Sequence, residues 1–411
     1  MTKKNKKILQ ITAAQFPPEI RVVKEGLSLI EAGYEAAVLC PPFGDQPEYE
    51  VWHGIEIFRP RLLGQQFFLD KILEQVTLFS FVWFVVIRKG IASYQPDVLH
   101  VHDIWLGRTC FAARTDQKVV FDLHENMPAA VVEYRKAYLG LRYLVSALFH
   151  TRQRILAYER KMLEACNMVL TVVEEAQNRV LADHPALKLE KVVNVENLES
   201  KRFVANAGQG QVAFAKDHFS VLYIGGFGPH RGVDTLIRAM VPTREAGKNI
   251  KVQLIGARPN QYLEMLKDLV RLLTVEEYVQ ITGWVDFEDV LANIYQADLC
   301  CVPHHSNPHT DNTIPHKLYQ YMIAKRPLLV SSSTPLARTV TQAGAGLIFE
   351  AGNPDDCAKQ IMALAEDASA RKVYANNGYR YVIEQHHNWE EESAPRLINA
   401  YDGLLGNISN G

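Results

Sequence analysis

Residues Ser220 to Met240 read SVLYIGGFGPHRGVDTLIRAM: an apolar run, a glycine-rich turn, then apolar residues at helical spacing. A strand that passes through such a turn into a helix cannot meet its neighbour by a hairpin, so it opens a parallel α/β unit. The alternation recurs downstream. VQLIGA leads to YLEMLKDLVRLL, YVQITGW to FEDVLANIYQ, ADLCCVP to DNTIPHKLYQYM, and RPLLVSSS to PLARTVTQAG. Strands alternating with helices of this length predict a doubly wound sheet.

Upstream, ILQIT, EAAVLCPP, PDVLHVHD and KVVFDLHE are short apolar runs ending in polar residues, again with helical segments between them. They predict a second parallel sheet, extended by NMVLTVVEEA and KVVNVENLE. The stretch from Tyr138 to Cys166 reads as one long helix, and ANAGQGQVAFAKDH (Ala205 to His218) as a polar, Gly-containing linker. The expected division is 1–205 and 206–384, with 385–411 a C-terminal helix returning to the first domain. A chain of 411 residues exceeds the usual size of one core, which agrees with two domains.

Charge excludes several classes. With 44 basic and 46 acidic residues the net charge is −2, and basic patches interleaved with aromatics are missing, so nucleic acid is not an expected partner. Six cysteines form no CxxC pair and suit a reducing, cytoplasmic setting. The N-terminal basic run is followed by too short an apolar stretch for an export signal and reads as strand. VTLFSFVWFVVI (Val76 to Ile87) is strongly apolar but too short to span a bilayer, so it is a buried or a membrane-touching helix.

Three places could do chemistry. In YIGGFGPHRGVD, Gly225 and Gly226 would let backbone N–H groups approach a phosphate, and Arg231 could donate two hydrogen bonds to it. The glycine spacing is wrong for a dinucleotide fingerprint, and VQLIGARP ends without the ribose-binding acid, leaving only Arg258 to suggest NADP. In DNTIPHKLYQYM a helix is expected near Thr313, its positive end at Asn312, with Lys317 and Gln320 on one face. Arg231 and Lys317, on two connections of one sheet, could converge on a diphosphate. In FDLHENMP, His124 follows a strand, either as a sugar ligand or proton carrier, or as a strand-end histidine satisfied by backbone. HVHD and HHSNPHTD match no known zinc spacing, so no metal site is expected.

In their order and spacing these segments, with FPPEIRVVKEGLSLIEAGYEAAVL and the terminal NWEEESAPRLINAYDGLL, resemble the two-domain GT-B glycosyltransferases of family four, also called glycosyl transferases group 1. DNTIPHKLYQYM is similar to the branch carrying a PNKLFEYM-like motif. The resemblance implies two Rossmann-like domains facing across a cleft. It also implies retaining transfer of a sugar from a nucleoside-diphosphate sugar, with UDP or GDP, and no required metal or cofactor.

By that resemblance Arg231 and Lys317 hold the donor diphosphate, with Gly225 in the first position of a Gly-Arg pair whose arginine is replaced by Gly226. His124 reaches the donor sugar, while Trp284 and Val285 line the base. Asn312 and Gln320 stand where most of the family has two glutamates, for the transferred sugar and the ribose, and Asp311 is a neighbouring acid that could substitute. Arg21, in the place of a usual glycine, and His102 fall on the acceptor side. A glycan or lipid-linked acceptor is implied, in cell-envelope polysaccharide or lipopolysaccharide assembly at the inner face of the cytoplasmic membrane. Leu144 and Leu148, in a helix with several arginines, are either a peripheral membrane contact or core. The missing carboxylates leave two other readings open: a nucleotide-sugar-binding scaffold, or a sugar-nucleotide epimerase of the same fold.

Overall fold

The computed structural model describes residues 6–17, 19–65, 67–136, 138, 140–204 and 217–406, so the expected linker lies outside them except for Asp217 and His218. The chain forms two compact units. The first comprises 1–132, 140–197 and 392–411, and the second 133–139 and 198–391.

The first unit is built on eight strands: β1 (Lys7–Ile11), β2 (Glu35–Leu39), β3 (Tyr49–Trp52), β4 (Ile55–Phe58), β5 (Val98–His102), β6 (Lys118–Leu123), β7 (Met168–Thr171) and β8 (Val192–Asn194). Their order is β3-β4-β2-β1-β5-β6-β7-β8. All pairings are parallel except β3 with β4. That hairpin is not anticipated by the sequence reading. Its turn is His53-Gly54, both with positive φ (49° and 86°), the conformation that two-residue hairpins require. The C-terminal helix Ala394–Leu405 packs on the first helix, Ile20–Glu31, where Tyr34 hydroxyl donates to Asp402 at 2.5 Å.

The second unit holds six parallel strands: β9 (Phe219–Ile224), β10 (Ile250–Ala257), β11 (Val279–Gly283), β12 (Leu299–Val302), β13 (Leu328–Ser331) and β14 (Gly346–Phe349). The order β11-β10-β9-β12-β13-β14 is doubly wound, and it reverses between β9 and β12. Val221, Tyr223 and Leu254 of the sheet pack with Leu236, Leu266 and Ile361 of its helices in one buried core. In the first sheet the order reverses between β1 and β5. Loops leaving the carboxyl ends of strands at such reversals are where this architecture presents polar side chains.

Two helix expectations need correction. Tyr138 to Cys166 is not continuous: Gly140–Phe149 and Arg152–Ala165 are separate, because the Thr151 hydroxyl caps the second by accepting from Arg154 N at 3.3 Å. The helix expected from Thr313 begins at Lys317; Thr310–Asn312 is a single 3-10 turn and Thr313 is extended. Pro315 disfavours helical backbone at the residue before it, which delays the start. The apolar run Val76 to Ile87 is split between helices Phe68–Thr77 and Phe81–Tyr94, bent by 92°, and no single described helix is long and apolar enough to cross a membrane.

Candidate functional site

Each unit carries one polar constellation at the carboxyl ends of its strands. In the first, Arg21 and Glu25 come from Ile20–Glu31, Gln10 from β1, His100 and His102 from β5, and Asp122 from β6. The Arg21 guanidinium grips Asp122 with two bonds, Nε to Oδ2 at 2.6 Å and Nη2 to Oδ1 at 2.8 Å. It also donates to Val195 carbonyl at 3.0 Å and lies 3.1 Å from Glu25. Asp122 Oδ2 is in turn 2.7 Å from His124 Nε2. Strand alternation places Asp122 and His124 on one face, a signal present in FDLHE that sequence reasoning did not use.

His124 is the open member of this network. Its side chain is 21% exposed, whereas Arg21 is 4%, His102 2% and both Asp122 and Glu25 0% exposed. Burial alone would lower the His124 pKa, but Asp122 and Asp103 outweigh it and raise it to about 10. Asp103, held with φ +61°, accepts from His124 backbone N at 3.0 Å. His102 behaves oppositely: burial drops its pKa to about 4. Its Nε2 meets Gln10 Oε1 at 3.1 Å and its Nδ1 meets His124 Nε2 at 3.1 Å, so a neutral ring donating to Gln10 turns a lone pair toward an imidazolium. Arg21 and His102, expected on the acceptor side, are therefore supports beneath His124, because both are buried and spent on neighbours.

Burial holds Asp122 up, but Arg21 and His124 overcome that and take it well below its ordinary value. Glu25 is pushed up by burial and by Asp122, so it is the acid that keeps its proton. Glu25, His100, His102 and Asp122 each offer a ligand atom within 4.8 Å of the others. Yet Arg21 already pairs with Asp122 and Glu25 keeps its proton, so a divalent cation would have to displace a guanidinium and a proton. The donor set fits a protonated network better than a metal.

The second constellation lies where its strand order reverses. Lys317 Nζ sits 4.1 Å from the centre of the Tyr223 ring, and a Cβ built on Gly225 would fall 2.1 Å from that nitrogen. Gly225, with φ +140°, is required by its backbone, and any side chain there would push the Lys317 amine out of its place. Tyr223 hydroxyl donates to Gly226 carbonyl at 2.8 Å, and Ile224 N donates to Tyr321 hydroxyl at 3.1 Å, locking the turn to the Lys317–Ile323 helix. Gly232 allows the next close approach, since a Cβ there would lie 1.8 Å from Pro303 carbonyl. His305 N then donates to His230 carbonyl at 3.1 Å, joining the loops after β9 and β12.

Arg231 lies 3.3 Å from His304 Nε2, which is a neutral acceptor because burial and then Arg231 hold its pKa well down. Burial and the charges of Arg231 and His309 take His230 to about 2. Lys317 is only 7% exposed, and burial followed by Arg231 lowers its pKa. Among the described residues no carboxylate forms an ion pair with Arg231 or Lys317. Two neighbouring basic side chains in neutral surroundings make a positively charged pocket wall.

The amide positions differ from expectation. Gln320, 2% exposed, donates from Nε2 to Glu199 Oε2 at 2.7 Å, and Glu199 is itself 2% exposed. A glutamate at 320 would set two buried carboxylates together, which explains the amide. Glu199 is not singled out by the sequence reading, because 121 residues separate the partners. Asn312 Nδ2 donates to Pro308 carbonyl at 2.8 Å. Asp311 accepts from Ser306 hydroxyl at 2.8 Å and from Thr334 N at 3.1 Å, so it caps a helix and is not a spare carboxylate. Trp284 is exposed with Arg258 stacked 4.2 Å over its ring, and Val285 is half-buried beside it.

Comparison with known proteins agrees with this geometry. Residues 19–197 match the family model described as Glycosyltransferase Family 4, and residues 207–381 match Glycosyl transferases group 1. An uncharacterized glycosyltransferase of Methanocaldococcus jannaschii is 25% identical over 403 residues, 94% of this chain and 96% of the relative. Sucrose-phosphate synthase from Thermosynechococcus elongatus superposes with TM-score 0.80 at 19% identity, covering 98% of this chain and 100% of that one. Anabaena HepE in complex with UDP-glucose gives 0.69 at 14% identity, covering 98% and 100%. With two doubly wound sheets and both halves matched, the chain belongs to the GT-B glycosyltransferases of family four.

Proposed function

We propose that this glycosyltransferase moves a sugar, with retention, from a UDP- or GDP-sugar to a glycan or lipid-linked acceptor in cell-envelope polysaccharide assembly. The observation that carries the donor assignment is the Arg231 and Lys317 pair, which has no carboxylate partner among the described residues and flanks a glycine turn. A diphosphate supplies the missing negative charge. Charge grows on that diphosphate as the glycosidic bond breaks, so both cations stabilise the transition state more than the ground state. On this reading the two cations take the place of a metal, and the departing phosphate oxygen takes the acceptor hydroxyl proton in a front-side substitution. His124, an imidazolium backed by Asp122, serves as hydrogen-bond donor to a hydroxyl of the donor sugar. Trp284 and Val285 lie by the base. Anabaena HepE, whose structure was determined with UDP-glucose, supports a nucleotide-sugar donor by analogy. A lipid-linked acceptor places the enzyme in the cytoplasm at the inner membrane face.

The test is thermal stabilisation by UDP, GDP, ADP, CMP and their sugar conjugates, repeated on Arg231→Ala and Lys317→Ala. One diphosphate at a hundredfold excess over its dissociation constant should add about 2.7 kcal/mol of stability, lost in both variants. Absence of stabilisation by every nucleotide removes the donor assignment, and binding without turnover of any acceptor favours a scaffold.

A further inference from the structure

The helix Phe68–Thr77 is amphipathic the wrong way round. Phe68, Leu69, Ile72, Leu73 and Val76 share one face and are 75%, 79%, 45%, 37% and 40% exposed. The acidic side points inward, where Asp70 accepts from Ser80 hydroxyl at 2.7 Å and from Phe81 N at 2.6 Å. A surface helix of a water-soluble domain turns its apolar stripe to the core. Here the capping bonds of Asp70 fix the opposite orientation.

The stripe continues onto a second element. Helix Gly140–Phe149 contacts Phe68–Thr77 and exposes Leu144 (62%) and Leu148 (69%). Leu144 and Leu148 are therefore not core. Between the first helix and Phe81–Tyr94 lies an almost wholly apolar groove of about 400 Å³, lined by Leu62, Phe67, Phe81 and Val85.

The charge bordering the stripe is mainly basic: Asp70 and Glu74 are half-buried on the inner side of Phe68–Thr77, whereas Arg108 and Arg152 are exposed. Arg108 Nη1 donates to Thr77 carbonyl at 2.7 Å, and Arg154 donates to Val76 carbonyl. Carbonyl partners leave both guanidinium charges intact at the border of the stripe. Lys71 is exposed on the same helix. A two-fold dimer across this face would bring the basic borders of two copies together, with no acidic border to pair them. An anionic bilayer satisfies both the apolar stripe and its basic border.

We propose that Phe68–Thr77, with the exposed leucines of Gly140–Phe149, docks the first unit on a membrane containing anionic lipid. Phe68 and Leu69 enter the acyl boundary, while Arg108 and Arg154 face the headgroups. This deepens the membrane location proposed above and rests on it, but not on the identity of the sugar donor.

The test is co-sedimentation of the full chain with vesicles of phosphatidylcholine alone and of phosphatidylcholine with phosphatidylglycerol, at low and high salt. Binding should favour the anionic vesicles and weaken with salt, by about fivefold for each basic side chain whose attraction to the headgroups is screened. The exposed double variant Phe68→Glu/Leu69→Glu should lose binding by more than tenfold, while keeping the wild-type melting temperature and nucleotide response. Equal binding by wild type and double variant overturns the proposal, as does absence of binding to either vesicle. A wild-type dimer that the double variant dissociates overturns it in favour of self-association. Nucleotide stabilisation is read in a separate assay, so failure of docking and failure of the donor assignment are distinguishable.

Discussion

The two constellations contain the same kinds of side chain and solve opposite problems. Around Asp122 every charge is met: Arg21 and His124 clamp the carboxylate, Glu25 keeps its proton, and His100 and His102 stay neutral. Around Lys317 the charges are left over, with neutral histidines and a tyrosine ring for company. The first arrangement balances its own charge and orients one imidazole. The second leaves Arg231 and Lys317 without a carboxylate partner among the described residues, which is why it is proposed as the donor diphosphate site.

Removing a charge should therefore have opposite consequences in the two places. Asp122→Ala leaves Arg21 and the His124 imidazolium with Glu25 as the one nearby acid among the described residues in contact with the guanidinium, and should cost about 3–5 kcal/mol because a buried pair loses one partner. Urea denaturation would measure this, and a loss below about 1 kcal/mol would mean the pair is solvated. Lys317→Met should go the other way, raising unliganded stability by about 1–3 kcal/mol as a desolvated amine is replaced by an apolar side chain, while abolishing nucleotide-induced stabilisation. A destabilised Lys317→Met protein would show that the cation already has its counter-charge.

Gln320→Glu should cost about 1–3 kcal/mol by losing a buried hydrogen bond and opposing Glu199. Adding Glu199→Gln should restore most of that loss, and additive effects in this double-mutant cycle would deny the contact. The gentlest probe is pH. Because His124 is raised above its unfolded value near 6.5, its contribution is fully present below that value and is lost as pH rises through about 10. An NMR titration should find the His124 ring still protonated at pH 8, and the alkaline stability slope should flatten in His124→Gln. A ring that is neutral at pH 8 would separate it from Asp122.

Much of the second site could be read from the chain because it is local. Gly225 and Arg231 lie in one turn, and Lys317 leads a helix after another strand of the same alternating series. What could not be read was who faces whom across long separations. Arg21 and Asp122 are 101 residues apart, and nothing near Arg21 reports that it will be buried. Helix starts were misplaced for a different reason: a capping hydroxyl at Thr151 and a proline at 315 each redirect backbone that side-chain periodicity alone would continue. The outward stripe of Phe68–Thr77 has the same period as an inward one, so sequence gives its existence but not its direction.

The pairing of Gln320 with Glu199 constrains how this chain can change. A glutamate at 320 is disfavoured while residue 199 remains acidic, and an acid at 199 loses its side-chain donor if 320 becomes apolar. The two positions are expected to drift only as a linked pair, which would make their joint identity a marker for tracing descent among relatives of this enzyme.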